Sequence, residues 1–147
     1  MEAMIEQVLT ALKKRRVDCS YAADRREAKD KVLALIGDKS SVGIGGSITV
    51  QELDIEKALE QKGCKVSWHW RANSNEIATV RREAQVADVY LSSSNAITTD
   101  GKLVNIDGFG NRVAAMVFGP KKVIIIAGKN KIAAGLEEAL QRIKDIA

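Results

Sequence analysis

The sequence is short of the residues that most often announce chemistry. Histidine occurs once, at His69, and cysteine twice, at Cys19 and Cys64. Two separated cysteines with no CxxC spacing and one histidine do not make a zinc pattern. A buried free thiol is the reading for each cysteine. No metal and no cofactor are expected. Nothing in the sequence orients His69, so no nucleophilic triad can be assembled around it. Aromatic residues make up only 4% of the chain, which leaves few platforms for stacking nucleic-acid bases. No run approaches the roughly 18 apolar residues of a membrane span. Glu2 and Glu6 stand where a secretory signal would carry basic residues, so a cytoplasmic location is the default expectation. There is no internal repeat and no low-complexity run.

What is present fits one domain over residues 1–147 with a real core. Hydrophobic residues are 46% and charged residues 29%, and the net charge is +4. Arg15, Arg25, Lys29 and Lys31 alternate with Asp24, Glu27 and Asp30. Interleaved signs describe a solvated face with local pairs rather than a stripe for nucleic acid.

Periodicity sets the order of elements. Met4, Ile5, Val8, Leu9 and Leu12 recur at helical spacing over 3–16, and Val17 to Ala22 has the pattern of a short strand. Asp24 is placed to cap a helix over 24–36. Val42 to Ile44 is a strand running into glycines, with Ser47 or Thr49 positioned to cap a helix continuing toward Leu53. A helix over 54–61 leads to a strand over 65–70, where Val66, Trp68 and Trp70 share one face and His69 the other. A helix over 76–86 precedes the strand Asp88 to Leu91. A hairpin turns at Thr99, Asp100, Gly101 and Lys102, and a helix runs from Asn111 to Phe118 before Pro120. Val123 to Ala127 is the most continuous apolar strand, the kind buried on both faces of a parallel sheet. A final helix spans 135–146.

Strands alternating with helices predict an α/β fold: three layers, a mostly parallel sheet with helices on both faces, and a small hairpin near residues 96–106. Ligands in such folds sit beyond the carboxyl ends of the strands. Two polar loops there lie within one stretch, 88–119: Ser92–Asn95 and Asp107–Arg112. A third loop is Gly43 to Thr49, where a strand feeds a glycine turn and a helix start. That arrangement suits an anion or a tight structural turn equally well. It is not a P-loop, because no lysine precedes a Ser/Thr after the glycines. It is not a dinucleotide fingerprint, because no third glycine has the required offset.

The segments SSVGIGGSITVQELDI and RREAQVADVYLSSSNAITTDGKLVNIDGFGNRVAAMVFGPKKVIIIAGKNKI closely resemble the LUD domain, proteins of the lactate-utilisation protein C type. The resemblance covers nearly the whole chain and is densest from Arg81 to Ile132. It implies the fold shared by glucosamine-6-phosphate deaminase, ribose-5-phosphate isomerase and CoA transferases. Some members act with iron–sulfur partners in oxidising L-lactate to pyruvate, and many have no assigned reaction. Members often carry cysteines in a further C-terminal segment. None is found here before Ala147, so a weaker tie to iron–sulfur chemistry is expected. The glutamate that CoA transferases set in a glycine-flanked loop has no counterpart, which disfavours acyl transfer through a glutamyl intermediate.

Family-like positions then suggest a division of labour. Backbone N–H groups at Gly45, Gly46, Ser47 and Thr49 would cradle a phosphate or carboxylate. Ser94 and Asn95 would orient hydroxyl or carbonyl groups. Arg112 would clamp an anion, with Asn111 beside it, and Asp107 is the one candidate acid or base. The structural alternatives are an Asp107–Arg112 ion pair across the turn and Asn111 as a helix cap. Three functions stay open: a module that binds a small anionic metabolite, linked to lactate oxidation; a non-catalytic accessory subunit for an iron–sulfur protein; and a sugar-phosphate isomerase. Alanine-rich helix surfaces leave a homodimer open. Neither nucleic acid nor membrane is an expected partner.

Overall fold

The computed structural model describes all residues, Met1–Ala147, and divides them into two compact units. One unit comprises 23–93 and 107–126. The other comprises 1–22, 94–106 and 127–147. No helix is long and apolar enough to cross a membrane.

The first of these holds a four-stranded parallel sheet. Its strands are β1 (Ser41–Ile44), β2 (Lys65–Trp68), β3 (Val89–Ser92) and β6 (Lys122–Ile125), in the order β2-β1-β3-β6. Val42 pairs with Val66 on one side and Val89 on the other, so β1 and β3 are the central strands. Side chains alternate across the sheet. Val42, Ile44, Val89 and Leu91 face a core shared with Val32 and Ile36 in and after α2 (Arg25–Ala34), Val50 of α3 (Ile48–Glu52) and Leu59 of α4 (Glu56–Gln61). The opposite face carries Tyr90, packed with Ala84 of α5 (Ile77–Gln85) and Ala115 of α6 (Asn111–Val117). Gly43 lies on that face because α5 crosses it closely. A β-carbon there would sit 2.6 Å from the Ala84 carbonyl oxygen. Helices on both faces of a parallel sheet make the three-layer α/β arrangement that the alternating pattern predicts.

Local signals account for several boundaries. Asp24 accepts from the Glu27 N–H (2.8 Å), and the Glu27 carboxylate accepts from the Ala23 N–H (2.7 Å), a reciprocal cap at the start of α2. Ser47 rather than Thr49 caps α3, accepting from the Val50 N–H (3.2 Å).

The other unit contains α1 (Glu2–Lys14), the hairpin β4 (Ala96–Thr98) and β5 (Leu103–Val104), β7 (Ile132–Ala133) and α7 (Leu136–Ile146). Its sheet has the order β5-β4-β7, antiparallel in the hairpin and parallel between β4 and β7. Its core is small and alanine-lined: Ala96, Ala133 and Ala139, with Val104 against them.

Four expectations are corrected. Residues 17–22 form no strand, since their backbone pairs with no neighbour in either sheet. β2 stops at Trp68, and His69–Arg71 turn into a 3-10 helix, so the two-residue alternation does not reach His69 or Trp70. β6 is an edge strand, so Val123–Ile126 are half-buried instead of covered on both faces. The strands form two sheets, and the two-residue β7 is too short to register as a pattern.

Candidate functional site at the strand carboxyl ends

In the parallel sheet, β1, β2 and β3 each deliver a polar turn at their carboxyl ends: Gly45–Ser47, His69–Arg71 and Ser92–Ser93. Gly45 is buried. A β-carbon on it would lie 2.8 Å from Tyr90 Oη, 3.0 Å from Arg112 Cγ and 3.2 Å from Ser92 Oγ. The glycine is thus the floor on which three side chains converge. Gly46 is packed similarly against the Trp70 indole, at 3.3 Å for its absent β-carbon.

Arg112, the second residue of α6, is buried. Its Nε donates to Asp107 Oδ1 (2.9 Å) and its Nη1 to the Ser93 carbonyl (2.8 Å). Asp107 Oδ2 accepts from the Val113 N–H (2.6 Å). The side chains of the pair are 10% and 8% exposed. Asp107 therefore does two structural jobs: it takes an unpaired N–H of the first turn of α6 and holds Arg112 against β3. The cap residue itself is Gly110, at φ +78°, and not Asn111. Asn111 begins the helix, and its carbonyl accepts from Gln85 Nε2 (2.5 Å). Tyr90 is 1% exposed. Burial first, then the Asp107 carboxylate, push its phenol up to about 12, against an opposing pull from Arg112. It is a neutral hydroxyl at any ordinary pH.

Ser94 and Asn95 belong to the other unit and tie its hairpin. Ser94 Oγ donates to the Ala96 carbonyl (2.9 Å). Asn95 N–H donates to Asn105 Oδ1 (3.1 Å), Asn95 Oδ1 accepts from the Ile106 N–H (3.1 Å), and the Asn95 carbonyl accepts from Arg142 Nε (3.2 Å). Thr49 lies within α3, half-buried.

Sequence patterning does not reveal that four of the six aromatic residues gather at this edge. Trp68 and Trp70 stack with centroids 5.8 Å apart, and His69 meets Trp70 edge-on at 6.3 Å. Phe109, in the turn before α6, covers the Arg81 guanidinium at 4.0 Å. Arg81 lies in the RRE run of α5, where nothing in the sequence distinguishes it from Arg82, so only its packing marks it out. Arg71 stacks on Trp68 (4.5 Å) and pairs with Glu56 (2.9 Å). A cleft of about 270 Å³ beside β2 is lined by Glu56, Glu60, Glu76 and Glu83 together with Trp68 and Arg71. Four carboxylates against one guanidinium make it repellent to an anion. No three His, Cys, Asp or Glu side chains are gathered to hold a metal. Both cysteines are free thiols: Cys64 is buried, and Cys19 is only partly so.

An open parallel sheet flanked by helices, with its turns collected at the strand carboxyl ends, defines the class: an α/β protein of the type whose ligands sit at that edge. The chain matches the LUD domain over residues 5–147, and it belongs to that family. No curated protein and no solved structure matches it.

Proposed function

We propose that the carboxyl edge of β1–β3 binds a small anionic metabolite, a carboxylate or phosphate. The observation that carries this is the meeting of the Gly45–Gly46 turn with the stem of Arg112, Ser92 Oγ and Tyr90 Oη, where glycine backbone lies against a buried arginine and two hydroxyls. In this reading Gly45, Gly46, Ser47 and Thr49 surround the ligand, and the Asp107–Arg112 pair holds the turn beside them. The tie to L-lactate oxidation comes from the family. L-Lactate and pyruvate are themselves small carboxylates, and they are the first ligands to test. The match runs through both compact units, which supports treating 1–147 as one LUD domain.

Binding is better supported than proton transfer by Asp107. A general base needs a free carboxylate, whereas Asp107 is engaged by Arg112 and Val113. The isomerase reading would need that pair to open. Calorimetry of the full chain with L-lactate, pyruvate and inorganic phosphate tests the proposal. Saturable binding of one of them is expected, and heats of dilution alone for all three would overturn it.

The accessory-subunit reading keeps one observation. Val86, Val117 and Phe118, at the last turns of α5 and α6, are 77–88% exposed. Apolar side chains this open suit a protein partner. Polar replacement of all three should raise solubility and leave anion binding unchanged.

A further inference from the structure

Arg112 is an incomplete answer to which group meets the ligand's charge, because Asp107 already neutralises it. Arg81 is different. Its Nε is buried and has no hydrogen-bond partner. A buried guanidinium N–H without an acceptor is an unfavourable state for a charged donor, and an incoming anion would relieve it. The flat face of Arg81 is covered by the Phe109 ring, which is itself 78% exposed. Phe109 is flanked by Gly108 and Gly110, around which a β-carbon would meet nothing within 4 Å. A ring carried between two unencumbered glycines can move without disturbing packed neighbours. Pairwise contacts gather around the β1 edge: Gly46 against Trp70, Trp70 against His69, Phe109 against Arg81, and Arg112 of the Asp107–Arg112 pair against Gly45. Burial first, and then the Arg81 charge, lower the affinity of His69 for a proton.

We propose that Arg81 is the residue that receives the charge of a carboxylate or phosphate at this edge, and that Phe109 is its movable cover. Stacking occupies the face of the guanidinium, whereas its donors lie in the plane. Displacement of Phe109 uncovers the guanidinium face and gives an anion an approach to the group, whose unpaired Nε then donates in the plane. This rests on the anion-binding reading and names the cation that serves it.

His69 is the only histidine, so its imidazole signals in NMR are unambiguous. The full chain is titrated with inorganic phosphate and, separately, with L-lactate. An anion seated on Arg81 cancels its field, so His69 should shift saturably and titrate at higher pH. Arg81→Met should weaken binding about tenfold or more, Arg81→Lys should retain part of it, and Phe109→Ala should speed association. Circular dichroism of each variant checks the fold. Saturable binding that Arg81→Met leaves unchanged overturns the role of Arg81 but keeps the site. No saturable shift with either anion in the unsubstituted chain overturns both. Phosphate binding without L-lactate binding, or the reverse, fixes which class of anion the edge accepts and supports the proposal.

Discussion

Asp107 and Arg112 carry most of the meaning of the 107–112 turn. Each is buried and bonded, and each bond has a structural consequence. Removing one member leaves an uncompensated buried charge, so Arg112→Met should lower unfolding free energy by about 3–5 kcal/mol. Asp107→Asn, which keeps an acceptor for Val113, should lose less. Urea denaturation compares them, and an unchanged midpoint for Arg112→Met would remove the pair from the fold's supports. Gly45→Ala presses a β-carbon into Tyr90 Oη, Arg112 Cγ and Ser92 Oγ. Overpacking of this kind costs about 1–3 kcal/mol. Adding Tyr90→Phe removes the nearest contact and should recover part of the loss. Asp88 works at the other end of the strands. It accepts from Ser41 N–H (2.9 Å), Ser41 Oγ (3.0 Å) and Lys121 Nζ (2.9 Å). The Lys121 ammonium first, then Ser41, hold its carboxyl near 2, below the ordinary 3.8. A folded-state value below the unfolded one means stability that is present above pH 3.8 and is lost as pH falls toward about 2. In Asp88→Asn, thermal unfolding should lose that part of its acid dependence.

At the scale of elements, what could be read from the chain depended on how local the cause was. The cap at Asp24 and the hairpin at 96–106 are set by neighbouring residues, and both appear where the pattern puts them. β6 shows the limit. Its apolar run is genuine, but burial depends on which strand lies beyond it, and none of its own sheet does. Residues 17–22 fail for a related reason, because a strand needs a partner edge and they have none. The Ser94–Asn95 turn is a candidate from the sequence because it is polar at a strand end. Its groups are occupied in joining β4 to β5. Asn95→Ala should therefore loosen the hairpin by about 1–2 kcal/mol. Faster amide exchange at Val104 and Ile106, with the parallel sheet unaffected, is the expected signature.

At the scale of the molecule, the two units differ in what holds each together. One has a core of large aliphatic side chains on one side of β1 and β3, with Tyr90 packed against Ala84 and Ala115 on the other. The other rests on small alanine contacts assembled from three separate pieces of chain. Burial of each large aliphatic side chain contributes about 1.5–3 kcal/mol, and alanine offers much less. Hydrogen exchange should separate them, with the slowest amides at Val42, Ile44, Val89 and Leu91 and earlier exchange at Ile97 and Ala133. Equal protection throughout would mean that the chain opens only as a whole.

By itself the sequence determined the class of fold and the family, because alternating strands and helices and the 81–132 stretch are properties of residues near one another in the chain. It also singled out a few polar turns at the strand ends as candidates. Only the tertiary structure decided which of their side chains are already engaged and which is not. Asp107, Arg112, Ser94 and Asn95 have their partners through folding, and Arg81, unmarked in its run of charges, has a buried donor left over. A hydrogen bond is satisfied or unsatisfied in space, and no spacing along the chain records which.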